Sequence, residues 1–307
     1  MRVREKKPNF LIVGAAKSGT TTLYHLLKQH SDIFMPEVKE PLYYISDTIK
    51  GISKNDVFFR NEGNEKYVHN KSDYANLFES VNEEKAIGES SATYLYYFDE
   101  SIPKIKEELN DPKIIIILRN PVDKIFSQYK HLQRFSAEKV SFEEGLALEK
   151  KRISENYTAM YHYKAQGLYY EQVKAFLTNF SNVLILYTSD LEKKPISLAK
   201  DCFQFLNVDS QFTPILKNYN ISSKRIKNWF IHKKLYNRQA YFAKMFIKNI
   251  IGDNMYQKLT DNYRNKNIVD LKVEMNDLTR NELRIFFLLD IEKLEKLINQ
   301  DLNDWKQ

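Results

Sequence analysis

Short unbroken apolar runs alternate along this chain with longer stretches in which apolar residues recur every three or four positions. Residues 9–14 read NFLIVG, which predicts a buried strand ending on a glycine. Residues 20–30, TTTLYHLLKQH, place Leu23, Leu26 and Leu27 at helical spacing. KAIGES (85–90) predicts a second short strand. KIIIILRN (113–120) is the clearest strand, because four isoleucines in a row without alternation suit a parallel strand covered on both faces. A helix is predicted over 121–135, with Asn120 as N-cap, Pro121 at the first helical position and Asp123 at the third. NVLILY (182–187) is another strand, followed by the helical SLAKDCFQFL, and 280–298 predicts a long terminal helix. Strands alternating with helices imply an α/β fold with a doubly wound parallel sheet. Two stretches, about 36–84 and 208–278, break the pattern and are rich in Asn, Lys, Tyr and Phe. They predict insertions that shape a cleft. With 307 residues, 43% of them hydrophobic, the chain reads as one domain spanning 1–307.

Charge adds one feature to this picture. The formal net charge is +7. Lys224, Arg225, Lys227, Lys233, Lys234, Arg238, Lys244 and Lys248 fall in one stretch that has no Asp or Glu. Such a stretch suits an anionic partner such as a nucleotide, an acidic glycan or, over about 224–250, peripheral contact with a membrane surface. No apolar run approaches the roughly 18–20 residues of a membrane helix. The first residues lack a signal-like apolar segment, so a cytoplasmic, soluble chain is expected. The single cysteine, Cys202, sits among apolar residues and reads as a buried thiol in a reducing compartment. No histidine spacing suggests a metal site. His131 is expected to face solvent and His25 to be packed.

The candidate chemistry lies in GAAKSGTTTL, residues 14–23. Gly14 and Gly19 keep the four-residue gap of a phosphate-binding loop, but Thr20 stands where a kinase-type loop has its lysine. Lys17, inside the loop, carries the charge instead. Between a strand and a helix, the backbone N–H groups from Ala16 through Ser18 and Gly19 to Thr21 can cradle an anion. The hydroxyls of Thr20 and Thr21 add donors. Arg119 ends the isoleucine strand, where ligands of parallel sheets bind, and its guanidinium suits a second phosphate. Ser127 follows two helical turns later.

Residues 13–41, VGAAKSGTTTLYHLLKQHSDIFMPEVKEP, resemble the 5′-phosphosulfate loop of sulfotransferases that use 3′-phosphoadenosine 5′-phosphosulfate (PAPS). ILRNPVDKIFSQY (117–129) resembles their second signature, R-x-P-x-x-R-x-x-S-x-[YW]; residues 167–191 and 294–305 are similar to later segments. The resemblance is to bacterial and heparan-type carbohydrate sulfotransferases. It implies a P-loop-like three-layer fold with a central parallel sheet flanked by helices, PAPS as donor and no metal. By the same analogy Lys17 stabilises the transferred sulfuryl group. Arg119 and Ser127 hold the 3′-phosphate, and Lys224 and Arg225 belong to a basic loop over the phosphates.

The resemblance makes Glu40 the base in MPEVKEPLYY, with Lys39 and Tyr43 near the acceptor. Pro41 predicts an extended Glu40. Leu42 stands where relatives often carry histidine. Lys124 occupies a position that is often arginine and reads as a surface residue. GESSATYLYYF (88–98) resembles a segment beside the acceptor, which adds Ser90 and Tyr94 to the expected substrate-binding residues. The implied reaction is sulfuryl transfer to a hydroxyl or amine of a carbohydrate or glycoconjugate. A small-molecule or lipid acceptor, a P-loop kinase and a non-catalytic nucleotide-binding protein remain alternatives, and oligomeric state is open.

Overall fold

A computed structural model describes residues 6–62, 67–216 and 273–307, with the short segments 224–226 and 268–270 and the single residues Gly252 and Met255. Five parallel strands form the central sheet: β1 (Phe10–Gly14), β2 (Ile33–Phe34), β3 (Ala86–Ser90), β4 (Lys113–Leu118) and β5 (Val183–Tyr187). Their order is β2-β3-β1-β4-β5. β1 therefore lies at the centre, with β3 on one flank and β4 on the other. The chain runs from β1 out to β2, back to β3, then across β1 to β4 and on to β5, so the crevice between the carboxyl ends of β1 and β4 is the switch point where open α/β sheets bind ligands.

The strand residues sort by parity. Leu11, Val13, Ile114, Ile116 and Leu118 enter one apolar cluster; Phe10, Ile12, Ile115 and Ile117 enter another. This is the two-residue period of a strand, with both faces covered. Helices α1 (Thr20–Leu27) and α11 (Pro195–Leu206) cover the second face, burying Leu23, Leu26, Leu27, Cys202 and Phe203. The first face is covered by α5 (Phe98–Leu109), α6 (Pro121–Arg134), α9 (Tyr170–Asn179) and the long C-terminal helix α12 (Asp277–Ile298). The result is the expected three-layer α/β arrangement. The Asn120 side chain accepts from the Val122 N–H and Pro121 opens α6, as the sequence indicates. Cys202 is fully buried, and burial pushes its thiol pKa up.

The first insertion is not structureless. After β2 it forms a 3-10 turn (Tyr43–Ile45) and three short helices, α2 (Ser46–Lys50), α3 (Val57–Glu62) and α4 (Lys71–Asn76). Between α6 and α9 lie α7 (Phe142–Ser154), a 3-10 turn (Ala159–Tyr161) and α8 (Tyr163–Gly167); α10 (Thr188–Lys193) follows β5. Most of the second insertion, including the expected membrane-contact stretch beyond residue 226, lies outside the described residues. Among those described, β6 (Lys224–Ile226) and β7 (Ile268–Asp270) form an antiparallel pair, and β6 runs beside α6. No helix among the described residues is long and apolar enough to cross a membrane.

Candidate active site

At the carboxyl end of β1 a cavity of about 520 Å³ opens. One of its walls is the glycine loop. Lys17 and Gly19 both adopt left-handed φ, 67° and 102°. Gly19 is required there twice over. Its φ disfavours side chains, and a Cβ on it would lie 2.6 Å from Leu191 Cδ2. Gly19 is also the N-cap of α1 and supplies no side-chain cap, so the first-turn N–H groups are left for a ligand. Thr188, which begins α10, donates from its hydroxyl to the carbonyls of Ser18 (2.7 Å) and Leu118 (3.1 Å), tying the loop to the end of β4.

Lys17 is the electrostatic centre. Its Nζ lies 3.1 Å from His131 Nδ1. Burial, then the charges of Arg134, Arg119 and Lys39, lower its pKa to about 8, while Glu40 opposes the shift. Three like charges around a buried ammonium amount to a site that favours an anion. Arg119 reaches the same loop, its Nη1 lying 3.4 Å from the Lys17 carbonyl oxygen. Arg119, Ser127 and His131 all line the cavity.

The opposite wall belongs to the flank of β3. Glu40 receives the Ala92 N–H on Oε2 (2.9 Å) and Lys39 Nζ on Oε1 (2.5 Å), while its own N–H donates to the Ser90 carbonyl (3.0 Å). Glu40 and Leu42 are also left-handed, φ 58° and 56°. The expectation that Pro41 keeps Glu40 extended is therefore overturned: hydrogen bonds at both its backbone and its carboxylate hold it in a conformation that local sterics disfavour. Non-glycine residues in this region are strained by about 1–3 kcal/mol each and gather at functional sites.

The cavity brings together Ala16, Lys17, Gly19, Thr20, Thr21 and Arg119, together with Ser127, Lys39 and Glu40. Ser18 is fully buried and does not border it. Three expected acceptor residues are elsewhere. Tyr43 stacks on Tyr74 and donates to Glu108 Oε1 (2.7 Å); Tyr94 is fully buried and its hydroxyl accepts the Tyr44 N–H (3.3 Å). Ser90 is buried at the end of β3, where its carbonyl takes the Glu40 N–H. None of the three borders the cavity. The side chains of Lys224 and Arg225 lie outside the described residues, although their backbone forms β6.

Two expectations for α6 also fail. His131 faces the cavity rather than solvent, four residues after Ser127 and so on the same helical face; that spacing was the available signal. Lys124 is fully buried rather than on the surface. Its Nζ donates to Gln128 Oε1 (2.8 Å) and Gln166 Oε1 (2.7 Å). Gln128 in turn donates to the carbonyls of Ala159 and Met160. The amine thus fixes the 3-10 turn that forms part of the cavity wall, and burial lowers its pKa well below the ordinary value.

The family model described as "Sulfotransferase domain" matches residues 7–275. The crystal structure of a sulfotransferase from Alicyclobacillus acidocaldarius is 32% identical, superposes with a TM-score of 0.74, and is matched over 98% of this chain and 99% of that one. The membrane-associated sulfotransferase kil1 of Dictyostelium discoideum is 32% identical over 122 residues, 40% of this chain and 22% of that protein. Human bifunctional heparan sulfate N-deacetylase/N-sulfotransferase 3 is 26% identical over 225 residues, 71% of this chain and 23% of that protein. The chain thus spans about a fifth of the length of these two relatives.

Proposed function

The chain belongs to the sulfotransferase-domain family, and from that premise we propose that it transfers a sulfuryl group from PAPS to a hydroxyl or amine of a carbohydrate or glycoconjugate. The observation that carries this reading is the crowding of Lys17 by Arg119, Arg134 and Lys39 beside an uncapped helix N-terminus. Such a site suits a ligand with more than one anionic group. The loop N–H groups with Thr20 and Thr21 would hold the 5′-phosphate, and Arg119 with Ser127 the 3′-phosphate. PAPS supplies an activated sulfuryl group.

Lys17 would neutralise the charge that develops on the oxygen bridging sulfur and phosphorus. One ammonium suits a sulfuryl group, which bears less charge than a terminal phosphoryl group. The S–O bond to the phosphate breaks, a new S–O bond forms to the acceptor oxygen, and the acceptor proton passes to the Glu40 carboxylate. Glu40 is held in place by Ala92 and must exchange its contact with Lys39 for the acceptor. His131, at Lys17 Nζ, keeps that ammonium aimed into the cavity. A carbohydrate acceptor is supported by the likeness to the heparan sulfate enzyme, whose printed name states that acceptor.

Incubation with [35S]PAPS and a panel of glycan and glycoconjugate hydroxyls tests the proposal. Label transfer that falls at least 100-fold in Glu40→Gln supports it; equal transfer by that variant removes Glu40 as the base.

A further inference from the structure

The sheet order divides the cavity into two unlike halves. The anion-binding groups come from the ends of β1 and β4 and the first turn of α1. On the other flank, beyond Glu40, hydrocarbon side chains stand among the hydroxyl-bearing Tyr67, Thr93, Tyr97 and Thr158. Leu42, Ile45, Ile49, Ile52, Phe58 and Met160 all border the cavity. Ile49, Leu42 and Phe58 are 5%, 7% and 7% exposed and Ile52 and Met160 are half-buried, with Ile45 fully buried behind them. Among the described lining residues the cations are Lys17, Lys39 and Arg119 with His131 beside them, and Lys39 is already paired with Glu40. A polar group set directly against the hydrocarbon side chains loses hydration without replacement, whereas one beside Tyr67, Thr93, Tyr97 or Thr158 meets a hydroxyl.

The wall is rigidly built. The Leu42 N–H donates to Ser91 Oγ (3.2 Å), and the Val68 N–H donates to the Pro41 carbonyl (2.9 Å). Phe58 packs edge-on against Phe135 and tilted against His131, with ring centroids 5.6 Å apart in each case. The Lys124 network holds Met160 from behind. An apolar, preformed wall leading to a positioned carboxylate is the anatomy of a small-molecule binding site.

We propose that the acceptor carries an apolar chain or ring next to the hydroxyl that receives the sulfuryl group, seated on Leu42, Ile49, Ile52, Phe58 and Met160. This deepens the sulfotransferase reading and rests on it. A glycolipid and a plain aliphatic alcohol share this chemistry, and the test separates them.

The full chain, saturated with adenosine 3′,5′-bisphosphate, is titrated calorimetrically with methyl, butyl, hexyl and octyl β-D-glucosides below micellar concentration, with 1-octanol in parallel. Affinity should rise about fourfold for each methylene buried, the fold-change equivalent to about 0.8 kcal/mol. Octyl glucoside binding more tightly than octanol assigns a glycolipid, and the reverse order an alcohol. Ile49→Asp should flatten the chain-length series while the variant still binds the bisphosphate. Ile52→Ser, at the less buried position, makes the same test should Ile49→Asp not fold. Equal affinities across the series overturn the proposal. So does binding only to nucleotide-free protein, because the wall would then hold the nucleotide's own base. Label transfer from [35S]PAPS, followed on the same compounds, separates the two failures. Transfer with a flat series removes the apolar seat alone. A steep series with no transfer to any hydroxyl counts against the sulfotransferase reading beneath it.

Discussion

The glycine loop after β1 and the Glu40 loop after β2 meet across one cavity, and both carry left-handed residues, Lys17 and Gly19 in one, Glu40 and Leu42 in the other. They reach that state differently. The glycine loop is local: a strand, five residues and a helix set its shape, and Gly19 makes the turn at little steric cost. The Glu40 loop is held from far along the chain, by Ser90, Ser91 and Ala92 and by the strand pairing that places them. One half of the site is written in a short segment, the other in the tertiary fold.

That contrast can be broken or sharpened by substitution. The largest effect should come from Lys17→Ala, which removes a contact expected to strengthen in the transition state; turnover measured by 35S transfer should fall roughly 100-fold or more. The same change should leave the ligand-free protein as stable or more so. A lysine whose folded pKa is depressed binds fewer protons than in the unfolded chain between about 8 and 10.5, so its charge opposes folding below about 8 and that cost fades as pH rises through this window. Calorimetric melting at pH 7 checks this, and a clear loss of stability would show that the loop needs its lysine to fold.

Next should be Arg119→Ala. Losing charge-assisted hydrogen bonds to a phosphate, about 1.5–3 kcal/mol, should weaken bisphosphate binding roughly 10- to 100-fold, with no change in binding of octyl glucoside. An equal loss for both ligands would mean that the two halves are not separate.

Lys124→Met probes the support behind the acceptor wall. It leaves Gln128 Oε1 and Gln166 Oε1 without their donor, so stability should drop by about 1–3 kcal/mol in a urea titration. An unchanged midpoint would mean that the two glutamines find other partners.

The smallest effect should be at Glu89, fully buried at the end of β3, whose carboxyl accepts from the Tyr74 hydroxyl (3.3 Å). Burial above all, with Glu40 nearby, raises its pKa to about 7, against hydrogen bonds that lower it. The folded protein then binds more protons than the unfolded chain between about 4.5 and 7, so stability falls as pH rises across that range. Glu89→Gln should therefore stabilise the protein more at pH 8 than at pH 5. A gain equal at both pH values would contradict the shift.

How much of this was legible in the sequence follows the same division. The sheet, α1, α6 and the glycine loop could be read because their signals are local: an isoleucine run, leucines three and four apart, Asn120 before Pro121. Lys17, Glu40 and Arg119 do border one cavity. Tyr43, Ser90 and Tyr94 do not: aromatic and hydroxyl residues near an expected acceptor serve packing equally well, and only the fold shows Tyr94 turned inward. Ile45, Ile49, Phe58 and Met160 could not be singled out at all. Nothing in their local sequence distinguishes a core residue from one that borders a cavity, and residues 42–58 and 160 meet only through folding. Lys124 looked like a surface lysine because its two glutamine partners, Gln128 and Gln166, give no sign in sequence of enclosing it.

The central claim is that two anion pockets at neighbouring strand ends recognise one doubly phosphorylated nucleotide, and titration calorimetry with adenosine 3′,5′-bisphosphate, adenosine 5′-phosphate and Mg·ATP at pH 7 and pH 9 tests it. The account predicts that the bisphosphate binds tightest by at least tenfold, and that its affinity declines above about pH 8 as the Lys17 ammonium is lost. Equal affinity for the monophosphate, or a preference for Mg·ATP, would contradict it.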